Sequence, residues 1–113
     1  MIEVVISKDN NSRVYAVDCH GHANMAGSGE YDLVCASVSM VVQSAYLGLK
    51  EHLHREVAFS RASGDFQMML QDEADDLTEA VFSTVVLGLK NVAWQYPGVI
   101  QISEVGGEEN VFD

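Results

Sequence analysis

An apolar period near the middle of the chain constrains the fold most. Val34, Val38, Val41, Val42, Ala45 and Leu49 recur at intervals that repeat one buried side of an α-helix. The spacing predicts a helix from about residue 32 to residue 52 or 54. Asp32 is its expected N-cap, a carboxylate able to accept from the backbone N–H groups of the first turn. Glu51, His52, His54 and Arg55 mark the exit, where the basic members suit the negative end of the helix dipole.

The flanking segments read as strands. Residues 2–7, IEVVIS, are short and β-branched. Residues 13–19, RVYAVDC, alternate, with Val14, Ala16 and Asp18 on one face and Tyr15, Val17 and Cys19 on the other. Polar residues 8–12 join the two as an antiparallel hairpin. Residues 56–60 and 66–70 form a second pair around Ser63-Gly64-Asp65. The unbroken Met68, Met69 and Leu70 imply a strand covered on both faces.

Residues 72–76, DEADD, open a second helix that runs to about residue 94. Its expected apolar side is Leu77, Ala80, Val81, Val85 or Thr84, Leu87 and Val92. Pro97-Gly98 ends it, a strand follows over 99–105, and an acidic tail is expected to fray. The order is ββαββαβ. It implies an α+β two-layer sandwich with a mostly antiparallel sheet and two helices, a single domain over 1–113.

Composition narrows the function classes. Seventeen acidic residues against six basic ones give a net charge of −11, which disfavours direct nucleic-acid contact. Such a surface suits solubility or a basic protein partner. No apolar run reads as long enough to span a bilayer, and the first residues do not resemble a signal peptide, so no membrane association is expected and a cytoplasmic protein is. Two cysteines, Cys19 and Cys35, then imply reduced thiols.

The chemistry concentrates between residues 20 and 39. Three glycines, Gly21, Gly27 and Gly29, lie in an expected loop of about a dozen residues, a length usually tied to function. With Asp32 as cap, Cys35 would be the third helical residue, where unpaired N–H groups favour the nucleophilic thiolate. His20 or His22 could supply the base, and spacing does not choose between them. His52 and His54 lie at the far end of the helix, too remote to serve. Ser39 shares the helix side of Cys35. The plainer alternative makes Cys35 a small buried core residue. Cys19, His20, His22 and Cys35 are zinc-ligand types, but their spacing matches no usual ligand pattern, so neither a metal nor another cofactor is expected. No glycine pattern for a nucleotide is present.

Gly21-His22-Ala23, a glycine-containing loop, then Asp32-Leu33-Val34-Cys35-Ala36 with Val38-Ser39 resembles the signature of the Prp (YsxB-like) family of ribosomal-processing cysteine proteases. Element order and chain length are similar over essentially the whole chain. The resemblance implies a cytoplasmic, homodimeric thiol protease active in ribosome biogenesis. Its substrate would be the precursor of large-subunit ribosomal protein twenty-seven, cut after a phenylalanine to remove an N-terminal extension. It implies His22 and Cys35 as a catalytic dyad, with Gly21, Asp32 and Ser39 in supporting roles. It also implies a glycine loop that closes on substrate. Glu30 stands where the family usually has glycine, with Gly29 one place earlier. A binding module that holds a peptide in the same groove, without cutting it, is the alternative.

Overall fold

The computed structural model describes residues 1–21, 29–62 and 64–107, the side chains of residues 29–32 excepted. The elements are β1 (Ile2–Lys8), β2 (Val14–His20), α1 (Gly29–Leu47) with a π-helical turn (Gly48–His52), β3 (Val57–Ala62), β4 (Asp65–Leu70), α2 (Asp76–Gln95) and β5 (Ile100–Gly106). The order ββαββαβ is the expected one. The five strands lie in the order β3-β4-β2-β1-β5. All pairs are antiparallel except β1 with β5, which run parallel with Ile2 opposite Ile100.

Both helices cover one face of this sheet. Val4, Ile6, Val17, Cys19 and Met68 point into the core beneath them, against Val34, Val38, Val42, Ala45 and Leu49 of α1. The opposite face is open, with Glu3, Gln67 and Gln101 exposed. Met69 lies on that side and is 46% exposed, so β4 is covered on one face only, contrary to the expectation from its three apolar residues. Strand alternation separates Met69 from its buried neighbours Met68 and Leu70.

The apolar side of α1 is where its period places it. The helix is not uniform to residue 52, however, because it widens at Gly48. Leu53 N–H donates to Gly48 O at 3.0 Å, a five-residue step, and the turn buries Leu49. Leu33–His52 is long and apolar enough, by length and composition, to cross a membrane, which corrects the reading that no such run exists. In the fold its most apolar side lies against the sheet.

The core side of α2 differs from the expected one. Thr78, Phe82, Val85, Val86 and Leu89 are buried, whereas Leu77 and Leu87 are exposed. The helix carries apolar residues on two sides, and the sheet takes the one that includes Phe82. Its start is also later than the acidic run suggests. Asp72 accepts from Glu56 N–H, and Asp75 is the N-cap, accepting from Leu77 and Thr78 N–H at 3.0 and 3.1 Å. Thr78 Oγ1 accepts from Asp75 N–H in return, which satisfies a buried hydroxyl.

The Thr78 N–H and then the Arg55 guanidinium hold the Asp75 carboxyl below the usual aspartate range. A depressed folded pKa means a contribution present above the ordinary value of 3.8 and lost as pH falls through the lowered one. Asp75→Ala should therefore lower Tm at neutral pH, and the gap to wild type should narrow in acid. Thermal melts across pH check this; a gap that stays constant would refute it.

Candidate active site

The candidate site forms where the ends of β2, β3 and β4 meet the first half of α1. A cavity of about 510 Å³ opens there. Cys35 and Ser39 line it from α1, Gly21 from the end of β2, and Arg61 from β3. Ile2, Cys19 and Phe66 supply an apolar wall from the sheet. Cys35 and Ser39 are one helical turn apart and both half-buried, so both open into the same space.

The helix begins earlier than expected. With Gly29 as its first residue, Cys35 is the seventh, not the third. Asp32 therefore lies inside α1 and is not its N-cap. The field of a helix terminus fades within its first turn. The helix start accordingly contributes less to Cys35 than its predicted place implied. Gly29, Glu30 and Tyr31 belong to α1, which also shortens the expected loop. His22, Gly27 and the gate expected of the glycine loop lie outside the described residues, as does the side chain of Asp32.

Gly21 is fixed by the sheet. Its φ is +106°, a conformation that L side chains rarely adopt, and its N–H donates to Gly64 O at 3.0 Å. This bond ties the end of β2 to the β3–β4 hairpin. His20, one residue earlier, also borders the cavity, and its imidazole lies beside two carboxylates. Its Nε2 is 3.2 Å from Glu3 Oε2 and its Nδ1 is 3.6 Å from Asp18 Oδ1. Ser39 Oγ accepts from Gln43 Nε2 at 2.6 Å, which leaves the hydroxyl hydrogen free to donate towards the cavity. His52 and His54 are exposed beyond the far end of α1.

The two cysteines differ sharply. Cys19 is 2% exposed, and burial, followed by the charge of Asp18, pushes its thiol up to about 12. It is a packing residue that stays protonated at neutral pH. Cys35 borders the cavity. A thiol reagent at neutral pH should modify Cys35 and spare Cys19, giving one adduct on the native chain and two after unfolding. Mass spectrometry reads this directly, and equal native labelling of both would overturn it.

Sequence reasoning missed Arg61, Phe66 and Ile2 as cavity residues. The signal lay in strand pairing: Phe66 sits opposite both Cys19 and Arg61. That register is not visible before the hairpins are aligned.

A half-buried cysteine with a hydroxyl one turn on, both bordering a cavity of about 510 Å³, is a layout suited to thiol-dependent peptide cleavage. The chain belongs to the cysteine protease Prp family, whose model matches residues 1–101, and it is a cysteine protease. No curated protein matches it. Among solved structures it is similar to the essential ribosomal processing protease Prp from S. aureus in complex with a covalently linked product peptide. That likeness has a TM-score of 0.82 and 22% identity, covering 93% of this chain and 100% of the other. The same enzyme with a substrate peptide also gives a TM-score of 0.82, at 21% identity, with the same coverage. SMU.848 from Streptococcus mutans gives 0.80 at 21% identity, covering 93% and 97%. These likenesses are likenesses of fold.

Proposed function

We propose that this protein is a cytoplasmic endopeptidase of ribosome biogenesis. It removes the N-terminal extension of large-subunit ribosomal protein twenty-seven, cutting after phenylalanine with Cys35 and His22 as a dyad. The observation that carries the reading is a cavity lined by Cys35 and Ser39 in a member of a cysteine protease family. The similar S. aureus protease holds a substrate peptide in one structure and a covalently linked product peptide in another. Both cysteines are unbridged, which suits a reducing compartment.

In this reading His22 takes the Cys35 proton, and the thiolate attacks the scissile carbonyl to give an acyl-enzyme. His22 returns the proton to the leaving amine, and water then releases the acyl product. His22 is taken over His20 on the resemblance of Gly21-His22-Ala23 to the family motif; His20 also borders the cavity, with its two nitrogens near Glu3 and Asp18. The Cys35 N–H, seven residues into α1, is committed to the helix ladder. The Ser39 hydroxyl is the better donor to the developing oxyanion, with Gln43 holding its oxygen. Gly21 and Asp32 are supporting residues. The test is incubation with a synthetic peptide spanning the extension: the expected product ends in phenylalanine, and an uncut peptide would refute this substrate.

The protein is further proposed to pair as a homodimer through the outer sides of its helices. Met40 and Leu47 of α1 and Leu77 and Leu87 of α2 are exposed, beside a cleft of about 670 Å³ between the helices. Contiguous apolar surface of this kind marks an association face. Light scattering should give a dimer mass for wild type and a folded monomer for Leu87→Glu. A wild-type monomer would remove the proposal.

A further inference from the structure

Arg61 is placed oddly for so acidic a chain. Acidic residues outnumber basic ones 17 to 6, so most cations find a carboxylate. Arg13 pairs with Asp76, Arg55 with Asp75, and Lys8 and Lys90 with Glu104. Lys50 lies over the Tyr46 ring. Arg61 has no carboxylate partner among the described residues, and it borders the same cavity as Cys35. Its Cζ is 5.7 Å from the centroid of Phe66, itself part of the cavity wall.

That arrangement suits recognition. Stacking on Phe66 restrains the guanidinium while leaving its in-plane N–H groups free to donate. Those donors match a carboxylate in two-point geometry. The exposed end of β3 also brings no carboxylate of its own: Ser60 and Ala62 flank Arg61. Among the described residues, then, no carboxylate engages the Arg61 guanidinium at this cavity, which would let it meet an incoming chain.

We propose that Arg61 is a specificity-determining residue that binds the side-chain carboxylate of an aspartate or glutamate in the substrate, within the few residues that fill this cavity. The acidic surface elsewhere attracts a basic protein at long range, and Arg61 sets one local position against that background. The proposal rests on reading the cavity as the peptide-cleaving site.

The probe is a set of short peptides around a central phenylalanine, capped at both ends so that no terminal carboxylate contributes. Each carries one glutamate, glutamine or lysine at successive positions on either side of the phenylalanine. Cys35-dependent cleavage by wild type should favour glutamate over glutamine at one position by about tenfold in kcat/KM, as for one charge-assisted contact. Arg61→Gln should abolish that preference, Arg61→Glu should invert it towards lysine, and Arg61→Lys should keep part of it. Binding of the same peptides to Cys35→Ser is measured in parallel, so charge preference is scored even where no bond is cut. Neutral peptides cleaved well with no charge preference at any position would overturn the role of Arg61 and leave the protease reading standing. Absence of Cys35-dependent cleavage, with the glutamate preference present in binding, would do the reverse. A preference unchanged in Arg61→Gln, or an equal loss for every peptide, would also overturn the role.

Discussion

Replacing Cys35 with alanine is expected to lower kcat/KM on a precursor peptide by about 10,000-fold or more, the scale seen when a covalent nucleophile is deleted. The fold should survive. Cys35 is half-buried at a cavity wall, and alanine is the strongest helix former, so the stability cost is about 1 kcal/mol or less. Ser39→Ala should cost much less, about tenfold to a hundredfold, because one donor is lost while the nucleophile remains. Progress curves for the three proteins, with melting curves as controls, distinguish these outcomes. Wild-type turnover by Cys35→Ala would remove Cys35 from the mechanism.

The second large effect is expected at Gly21. A methyl group there would fall well inside van der Waals contact with the Met1 carbonyl oxygen, on backbone whose φ of +106° already excludes most side chains. Neither atom can move cheaply, since Met1 leads directly into β1 and Gly21 is tied to Gly64 O. Gly21→Ala should destabilise by about 3 kcal/mol, as strained positive-φ sites do. For a domain of this size that lowers Tm by about 10–20 °C. His22 follows Gly21 directly, so residual activity measured well below Tm should also fall. A variant that melts like wild type would show that the end of β2 can rearrange.

The parts of the fold legible in the sequence are those set by one periodicity at a time. The Val34–Leu49 stripe defines both α1 and its buried side, and alternation in residues 13–19 puts Cys19 and Val17 together. Where two signals compete, sequence is ambiguous. In α2 the Leu77–Leu87 side and the Phe82 side are both apolar, and only the sheet decides which is core. Met69 reads as buried because its neighbours are apolar, although the two-layer architecture leaves one sheet face open. At the site, residue type and local context pointed to Cys35 and Ser39, and both line the cavity. The depth of Cys35 in α1 was not legible, because Asp32 is as good a cap by type as any residue near Gly29. Arg61 was invisible for a different reason: its place at the cavity, beside Phe66 and with no carboxylate partner among the described residues, depends on neighbours across strands, which are not written in order along the chain.

The parallel pairing of β1 with β5 has a consequence for the timing of assembly. β1 gains its second neighbour only when residues 100–106 arrive, because Ile2 pairs with Ile100 and Lys8 with Gly106. A growing chain emerging from a ribosome can form the β1–β2 hairpin early, but β1 stays an open edge until almost the whole described chain has been made. Ile2, which lines the cavity, sits on that edge. Pairings so distant in sequence close slowly. The edge that carries Ile2 therefore gains its second strand neighbour only after residues 100–106 have been made.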